Sequence, residues 1–455
     1  MNPGHTFHLN THTPQELPVR DDIERIINAA LRSVDPSQAM KNFFQYNGQI
    51  ITVGGKDFVR TDFTDIFLIA IGKAAIPMII SAAEVLGDDF SSGLAVSKSR
   101  KGSVSLDPRI RVVIGDHPIP GINSFRAADD IMEYLEKVNR NDLVIFLISG
   151  GGSALISKPI QGVTFEDLQI VTQSLLNASV PIQKSNTLRK HLDVVKGGGL
   201  LKKALPAQII SLILSDVIGN DPSVIASGPT VPDPSTYHEC LNILKDYDLL
   251  KSIPVNVLMT LREGDAGNIE ETIKPAEVAD VLHYETLIGN IDLAMNAIQE
   301  IGKNLGYRTI RSSEFLVREI EFEKNRIITE AANQFKRDVG DKLLMIWGGE
   351  VTVIRTGSGR GGRNQHLALL LAEEFEGKKG VVGVALATDG EDGSTDAAGA
   401  VIDAHTMDRA RALDLDSQEV IRQQDSYGFF QELNDLIFTG STGTNVNDLF
   451  ILIKE

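Results

Sequence analysis

The chain has 455 residues and a mass of 49.5 kDa, and 42% of its residues are hydrophobic, so it can bury a sizeable core and is not a disordered protein. Its 61 acidic residues outnumber its 44 basic ones, and the formal net charge of −17 repels phosphate backbones and anionic lipid surfaces. Nucleic-acid and membrane partners are therefore not expected, whereas a small anionic substrate can still bind in a local basic pocket.

The N-terminal segment and the cysteine content indicate a soluble, cytoplasmic protein. Residues 1–20 contain three prolines and three histidines with almost no apolar periodicity, so we predict a flexible leader. Cys240 is the only cysteine, which excludes an internal disulfide and favours a buried, inert thiol. No apolar run reaches the ~18 residues that a membrane span requires, and the N-terminus lacks a secretory signal pattern.

Short apolar runs alternate with amphipathic helical patterns along the rest of the chain. The first strand candidates are apolar on both faces, as in a parallel sheet covered by helices on each side; they lie at 66–71, 93–96, 110–114, 143–148 and 208–214. A proline-rich break follows, and later strand candidates lie at 281–288, 307–311, 342–347, 350–355, 381–387, 436–439 and 449–453.

This alternation predicts an α/β protein of two α/β/α domains, with mainly parallel, Rossmann-like sheets facing an interdomain cleft. We expect residues 21–250 to form the N-terminal domain and residues 251–455 the C-terminal domain.

Turns rich in glycine follow the predicted strands of the first domain, where the sites of open parallel sheets are built. Lys73 follows Gly72 at the start of a helix and adds positive charge to an anion-binding helix N-terminus. The turn after strand 143–148 offers a nest of N–H groups suited to phosphate oxygens, and its residues are Gly150, Gly151, Gly152 and Ser153. Lys196 precedes a second run of glycines, which either binds phosphate or caps a helix.

Acidic turns supply candidates for a metal ligand or a general base. Asp216, Asn220 and Asp221 follow strand 208–214 and can hold Mg²⁺, accept a proton from a hydroxyl, or merely cap a helix. Asp389 follows strand 381–387 in a turn that is either a solvated surface loop or a cation site.

A second glycine loop lies between strand 350–355 and helix 364–374. Its glycines match G-x-G-x-x-G, and Gly359, Gly361 and Gly362 are followed by Arg363. A dinucleotide fingerprint would place a ribose-binding acid at a strand end about 20 residues later, and none is found there. Anion binding is therefore favoured over dinucleotide binding, because arginine suits phosphate and carboxylate.

Taken together, these loops resemble the glycerate 2-kinases, the class II family with an N-terminal glycerate-kinase domain and a C-terminal MOFRL domain. The resemblance covers residues 22–454, and the chain departs from the family pattern at Ala70, Gly121 and His366. It implies ATP-dependent phosphorylation of D-glycerate to 2-phospho-D-glycerate, with ATP and Mg²⁺ as cofactors.

The resemblance also implies roles for individual residues. The family's essential lysine falls on Lys73 and its essential arginine on Arg363, and both would hold the substrate carboxylate or the transferring phosphoryl group. The conserved aspartate and asparagine fall on Asp216 and Asn220. The glycine nest would cradle nucleotide phosphates, and Asp216 or Asp389 would bind Mg²⁺ or orient the attacking hydroxyl. Further candidates for substrate or metal binding are Asp221, Glu350 and Asn364.

Three alternatives remain open at this stage. Members of the family have been labelled hydroxypyruvate reductases, which would use NAD(P)H, although the chain offers no convincing nicotinamide site. A kinase for a related short hydroxy acid and a non-catalytic sugar-acid sensor are the others. A homodimer is also open.

Overall fold

The computed structural model describes residues 7–14, 17–99, 106–337 and 342–455. Contacts between residues divide the chain into two compact units. The first unit comprises residues 39–288, and the second comprises residues 289–455 together with the chain up to Gln38.

The structure contains the following elements, numbered in chain order. The helices are α1 (Leu17–Ser33), α2 (Pro36–Phe43), α3 (Ala75–Leu86), α4 (Ile122–Tyr134), α5 (Gly152–Leu155), α6 (Phe165–Asn177), α7 (Ile182–His191), α8 (Gly199–Ala204), α9 (Tyr237–Asp246), α10 (Val255–Asp265), α11 (Ile291–Asn304), α12 (Ile320–Arg337), α13 (Arg363–Phe375), α14 (Thr406–Ala412), α15 (Ser417–Gln423) and α16 (Ser426–Leu433). The strands are β1 (Phe44–Tyr46), β2 (Ile50–Val53), β3 (Lys56–Val59), β4 (Ile66–Ile71), β5 (Ser92–Ser97), β6 (Ile110–Ile114), β7 (Leu143–Ser149), β8 (Gln208–Leu214), β9 (His283–Gly289), β10 (Arg308–Arg311), β11 (Leu343–Gly349), β12 (Val381–Ala387), β13 (Gly399–Asp403), β14 (Leu436–Ile437) and β15 (Asp448–Lys454).

The first unit is built on a six-stranded sheet in the order β6-β5-β4-β7-β8-β9. Every pair from β6 to β8 is parallel, as predicted. Helix α4 packs on one face, where Ile131 joins Ile69 and Phe146 in the core. Helix α3 covers the other face, since Leu68 and Ile79 both lie against Gly93. The strands are therefore apolar on both faces because helices exclude water from each. The short strands β1, β2 and β3 form a separate antiparallel sheet.

Four helices, α6, α7, α9 and α10, form a second core within the first unit. Leu188, Leu244 and Leu261 are buried there, and so is Cys240, as predicted. Burial raises the pKa of the Cys240 thiol well above its ordinary value, which keeps it protonated and inert. Because α10 packs with these helices, the chain beyond residue 250 still belongs to the first unit, and the predicted division at 250 does not follow the compact units.

The second unit has a six-stranded mixed sheet in the order β10-β11-β15-β12-β13-β14. Only β10 and β11 pair in parallel, and the other four pairings are antiparallel. The predicted α/β class is confirmed, but this sheet departs from the expected mainly parallel arrangement. An apolar run such as Leu449–Ile453 indicates that a strand is buried on both faces, but it does not indicate the direction of the strand. The sequence pattern therefore could not predict that β15 lies antiparallel between β11 and β12.

The predicted leader is only partly separate from the fold. Phe7 and Leu9 are buried, and the backbone N–H of Thr13 donates a 2.7 Å hydrogen bond to Asp435. Helix α1 then begins at Leu17, before the predicted end of the leader at residue 20, and packs on α11. Residues 7–14 alternate between buried and exposed, a pattern that the prolines and histidines of the segment obscured. Residues 1–6 and 15–16 lie outside the described residues.

The helices of the described ranges include none that is both long enough and apolar enough to cross a membrane.

Candidate active site

In the first unit, the turns after β4 and β7 are joined at the carboxyl edge of the sheet. The backbone N–H of Lys73 donates to the carbonyl of Gly150 at 2.9 Å, and the N–H of Ala74 donates to the hydroxyl of Ser149 at 3.0 Å. Lys73 is half-buried just before α3. The hydrogen bonds hold the predicted lysine beside the predicted glycine nest, as expected for neighbouring parallel strands.

Two glycines of this nest allow side chains to approach the backbone closely. A Cβ built on Gly150 would lie 2.0 Å from Oδ2 of Asp216, so the carboxylate occupies the place where any other residue would have its side chain. A Cβ built on Gly151 would lie 3.2 Å from Cγ of Lys73 and 3.2 Å from Nε2 of His117. A cation, a carboxylate and an imidazole therefore converge on two adjacent peptide units.

We expect Gly150→Ala to lower kcat by about 10²-fold, because the new methyl group must displace the Asp216 carboxylate from its place against the glycine nest. Steady-state kinetics and a thermal melt of the same preparation would measure the effect. Gly219→Ala is the matched control, because a Cβ on Gly219 meets nothing within 4 Å. Because Gly219 has a φ of +90°, alanine there strains the backbone, and the thermal melt measures that cost separately. A kcat equal to wild type in Gly150→Ala would show that Asp216 is not part of the site.

The remaining candidates of the first unit, Ser153, Asn220 and Asp221, differ in their hydrogen bonds and backbone conformation. The hydroxyls of Ser153 and Ser227 share a 2.9 Å hydrogen bond. Asn220 adopts a left-handed conformation with φ of +56° in the loop after β8. The exposed Asp221 accepts a 2.9 Å hydrogen bond from the N–H of Ser223, in the manner of a turn residue.

A carboxylate of the same unit already holds the side chain of Lys196. Its side chain is buried and forms an ion pair with Asp193, which also accepts a 2.6 Å hydrogen bond from Ser157. The pair neutralises the charge that was assigned to phosphate binding. Breaking it would leave a buried carboxylate unpaired, so the structure favours a structural role for Lys196.

In the second unit, Arg363 is the first residue of α13 and is held by two carboxylates. Its Nη1 lies 2.6 Å from Oε1 of Glu350, and its Nε and Nη2 contact both oxygens of Asp448. Asn447 donates a 3.2 Å hydrogen bond to the other oxygen of Glu350. The arginine is therefore fixed in a fork geometry that suits recognition of an anionic group.

Strand register explains why Asp448 reaches this place. Asp448 pairs with Gly349 at the end of β11 and with Ala387 at the end of β12. Because β15 runs antiparallel to both, its first residue lies at the edge where the other two strands end. Glu350 and Thr388 follow those ends directly, so three loops meet there.

Burial governs the titration of this cluster. Burial raises the pKa of Asp448 to about 7, although Arg363 acts in the opposite direction. Burial opposes the charge of Arg363, but Asp448 and Glu350 outweigh it and raise the pKa of the guanidinium. The arginine therefore stays charged, whereas the carboxyl of Asp448 titrates near neutral pH.

The helix behind Arg363 is capped from another loop. Asp392 accepts hydrogen bonds from the N–H groups of Asn364 and Gln365 at 3.1 and 2.8 Å, and from the side-chain amide of Asn364 at 3.1 Å. It satisfies the first N–H groups of α13, which Gly362 cannot cap with a side chain. Asn364 is thus buried behind the site. Asp389 is half-buried beyond β12, and its carboxylate accepts from the N–H of Glu391 at 3.1 Å.

The second glycine loop is packed against its own unit. No strand covers 350–355, so the predicted strand–loop–helix context of a dinucleotide site is wrong. The N–H of Gly359 donates to Gln423, and a Cβ on Gly361 would lie 2.2 Å from the hydroxyl of Ser426. A Cβ on Gly362 would overlap Asp392 in the same way. Close packing accounts for these glycines, and phosphate binding by the loop stays a prediction.

Sequence reasoning did not select Asp448 or His117 as site residues. Asp448 stands at the start of an apolar run, and only the antiparallel direction of β15 brings it to Arg363. His117 follows β6, and only the fold brings its imidazole to Gly151 of the glycine nest. Within the described ranges, no group of three or more His, Cys, Asp or Glu side chains could hold a metal ion on its own.

Comparison with known proteins now identifies the class. Residues 22–262 match the family described as a domain of unknown function, DUF4147, and residues 343–448 match the MOFRL family. The chain is 35% identical to a glycerate 2-kinase of Pyrococcus horikoshii, over 94% of this chain and 96% of that protein. It is 34% identical to a D-glycerate 2-kinase of Thermotoga maritima, with the same coverage.

A crystal structure of a glycerate kinase from Thermotoga maritima has a TM-score of 0.82 with this chain at 32% identity, and the match covers 96% of this chain and 99% of that one. The chain is also 34% identical to a protein of Agrobacterium vitis, over 96% of this chain and 95% of that protein. The name of that protein describes it provisionally as a hydroxypyruvate reductase. The chain belongs to the glycerate 2-kinase family.

Proposed function

We propose that the protein transfers the γ-phosphoryl group of ATP to the 2-hydroxyl of D-glycerate, giving 2-phospho-D-glycerate and ADP in the cytoplasm. The observation that carries the proposal is the convergence of Lys73 and Asp216 on the glycine nest at Gly150 and Gly151. Phosphoryl transfer needs positioning and charge stabilisation rather than covalent help from the protein, and these are the groups that supply both. The names of the two kinase relatives support the same reaction.

The reaction forms one bond and breaks one bond. The 2-hydroxyl oxygen attacks the γ-phosphorus, the bond from that phosphorus to the bridging oxygen breaks, and ADP leaves with the electron pair. The hydroxyl proton passes to a base, and Asp216 is our candidate because its carboxylate lies against the nest. Lys73 would stabilise negative charge on the transferring group.

The N–H groups of Gly150–Ser153 would bind the nucleotide phosphates. Asp216 with Asn220 in the first unit, or alternatively Asp389 in the second, offers the oxygen donors that Mg²⁺ prefers, and Mg²⁺ usually binds through one or two carboxylates plus phosphate oxygens. Bound Mg²⁺ would neutralise charge on the β and γ phosphates. A complete protein cage is not required for such a site.

Arg363 would bind the substrate carboxylate or the phosphoryl group. Two carboxylates surround it, so an incoming anion must replace one of them to gain a full ion pair. Glu350 is 48% exposed at its side chain, whereas Asp448 is 7% exposed. We infer that Glu350 releases the guanidinium when an anion binds and that Asp448 keeps it oriented.

The test is an ADP-release assay with ATP, Mg²⁺ and a panel of short hydroxy acids, set beside an absorbance assay with NAD(P)H and hydroxypyruvate. We expect ADP with D-glycerate, none without acceptor, and no oxidation of the nicotinamide. Oxidation of NAD(P)H by hydroxypyruvate without ADP formation would replace the kinase by a reductase. A homodimer stays a prediction that sedimentation would measure.

A further inference from the structure

The first unit contains a cavity to which the proposed function assigns no ligand. Its volume is about 670 Å³, within the range of ~300–1,000 Å³ typical of small-molecule sites. It is bordered by the segment after β6, by helices α6 and α7, and by Ser153 at the end of the glycine nest. The cavity is therefore continuous with the residues proposed to bind phosphate.

Most of the wall is apolar, and part of it is exposed to solvent. Phe165 and Leu168 of α6 lie on one side, and Ile119 lies on another. Ile119 is 65% exposed and Leu176, also in the wall, is 63% exposed. Large apolar side chains grouped around a concave site and left in water indicate a ligand with an apolar face.

Arg189 adds a positive charge to this wall. It is half-buried in α7, and it has no hydrogen-bond or ion-pair partner within the residues that the structure describes. Burial lowers the pKa of its guanidinium, since no carboxylate compensates the lost water. Lys196 in the same wall differs, because Asp193 already neutralises it. Arg189 is therefore the cation that an anionic ligand of the cavity would meet.

We propose that this cavity binds the adenosine part of the nucleotide, with the base on the apolar wall and Arg189 on the phosphate chain. This inference rests on the proposed kinase function. D-Glycerate is too small and too polar to fill the cavity or to cover its apolar wall. A nucleotide combines a flat apolar base with an anionic chain, and Ser153 leads from the cavity to the nest beside Lys73.

The first experiment measures binding without turnover, by titration calorimetry with ATP, adenosine and inorganic tripolyphosphate. We expect Arg189→Met to weaken ATP and tripolyphosphate binding at least tenfold and to leave adenosine binding unchanged. Arg262→Met is the matched control, since Arg262 is exposed on α10 and outside the cavity, and all three ligands should bind it as they bind wild type.

The second experiment changes the apolar wall at positions that are already exposed, so that folding is spared. We expect Ile119→Ser and Leu176→Ser each to weaken ATP and adenosine binding several-fold, with tripolyphosphate unaffected. Met259→Ser is the control, because Met259 is 58% exposed in the same unit but outside the wall.

The outcomes separate this inference from the kinase proposal. If wild type binds ATP with these variant effects but forms no ADP with glycerate, the nucleotide pocket stands and the acceptor is wrong. If Arg189→Met raises only the KM for glycerate, Arg189 binds the acceptor and the inference fails. If the wall variants leave ATP binding unchanged but dissociate an oligomer in sedimentation, the apolar surface contacts a second copy, and the inference fails as well.

Discussion

Replacement of Lys73 by Met is expected to lower kcat by about 10²–10³-fold, because it removes the positive charge held beside the glycine nest while keeping much of the side-chain volume. The backbone contact to Gly150 uses the N–H of residue 73 and survives the change. The melting temperature should therefore stay within a few degrees of wild type. ADP release at saturating ATP and D-glycerate would measure the loss.

Lys245→Met is the matched control, because Lys245 is exposed on α9 and its loss should leave kcat unchanged. ATP binding by the Lys73 variant should be reduced much less than turnover if the lysine acts on the transferring phosphoryl group. A variant with a normal kcat would take Lys73 out of the reaction, whatever its effect on KM.

Replacement of Arg363 by Met is expected to destabilise the second unit by about 1–3 kcal/mol and to abolish turnover, because the buried Asp448 loses the hydrogen bonds of the guanidinium and must take up a proton. Trp347 is the only tryptophan and is buried in the core of that unit, so its fluorescence during urea unfolding reports on the right part of the chain. Arg360→Met removes an exposed arginine that stacks on Tyr427, and it should cost about 1 kcal/mol or less.

The double variant Arg363→Met with Asp448→Asn separates stability from chemistry. Without Asp448, no buried charge remains unpaired, so we expect most of the lost stability to return while turnover stays absent. Recovery of activity in the double variant would contradict a direct role for the arginine. No recovery of stability would show that the cost came from packing rather than from the unpaired carboxylate.

The same pair predicts a pH dependence of stability. The pKa of Asp448 is raised in the folded state from an ordinary value of 3.8 to about 7, so the folded protein binds its proton more tightly than the unfolded chain does. Ionisation of Asp448 therefore costs stability, and the cost is absent below pH ~4 and complete above pH ~7. Wild type should lose stability relative to Asp448→Asn across that window, by at most about 1.4 kcal/mol per pH unit. A constant difference would contradict the raised pKa.

Much of the fold is predictable where a segment's burial is uniform. The predicted strand at 66–71 coincides with β4, and the one at 381–387 coincides with β12, because a run that is apolar on both faces has few alternatives within a layered α/β protein. The failures have a common cause. Strand direction in the second unit, and the ordered path of residues 7–14, depend on partners far away in the chain that a local pattern does not contain.

The residues of the candidate site also divide into those that a local pattern predicts and those that depend on distant parts of the chain. The glycine nest and Lys73 are predictable because a strand, a turn and a helix in sequence fix their place at a sheet edge. Phosphate binding by Lys196 stays a prediction, and its ion pair with Asp193, three residues earlier, has no signal in the sequence. Asp448 was missed because its position depends on strand direction. Arg189 lies in the last turn of α7, where nothing local distinguishes an arginine that lines a cavity from a surface one.

Helix α1 completes a unit whose other elements begin at residue 289. Ile23, Ile26 and Ile27 are buried in the finished fold, and α1 packs on α11, which starts at Ile291. During synthesis on the ribosome, the apolar face of α1 therefore stays exposed to solvent until the first unit has been translated and α11 has emerged. The nascent chain should need a chaperone, or a transient shelter of its own, until α11 emerges.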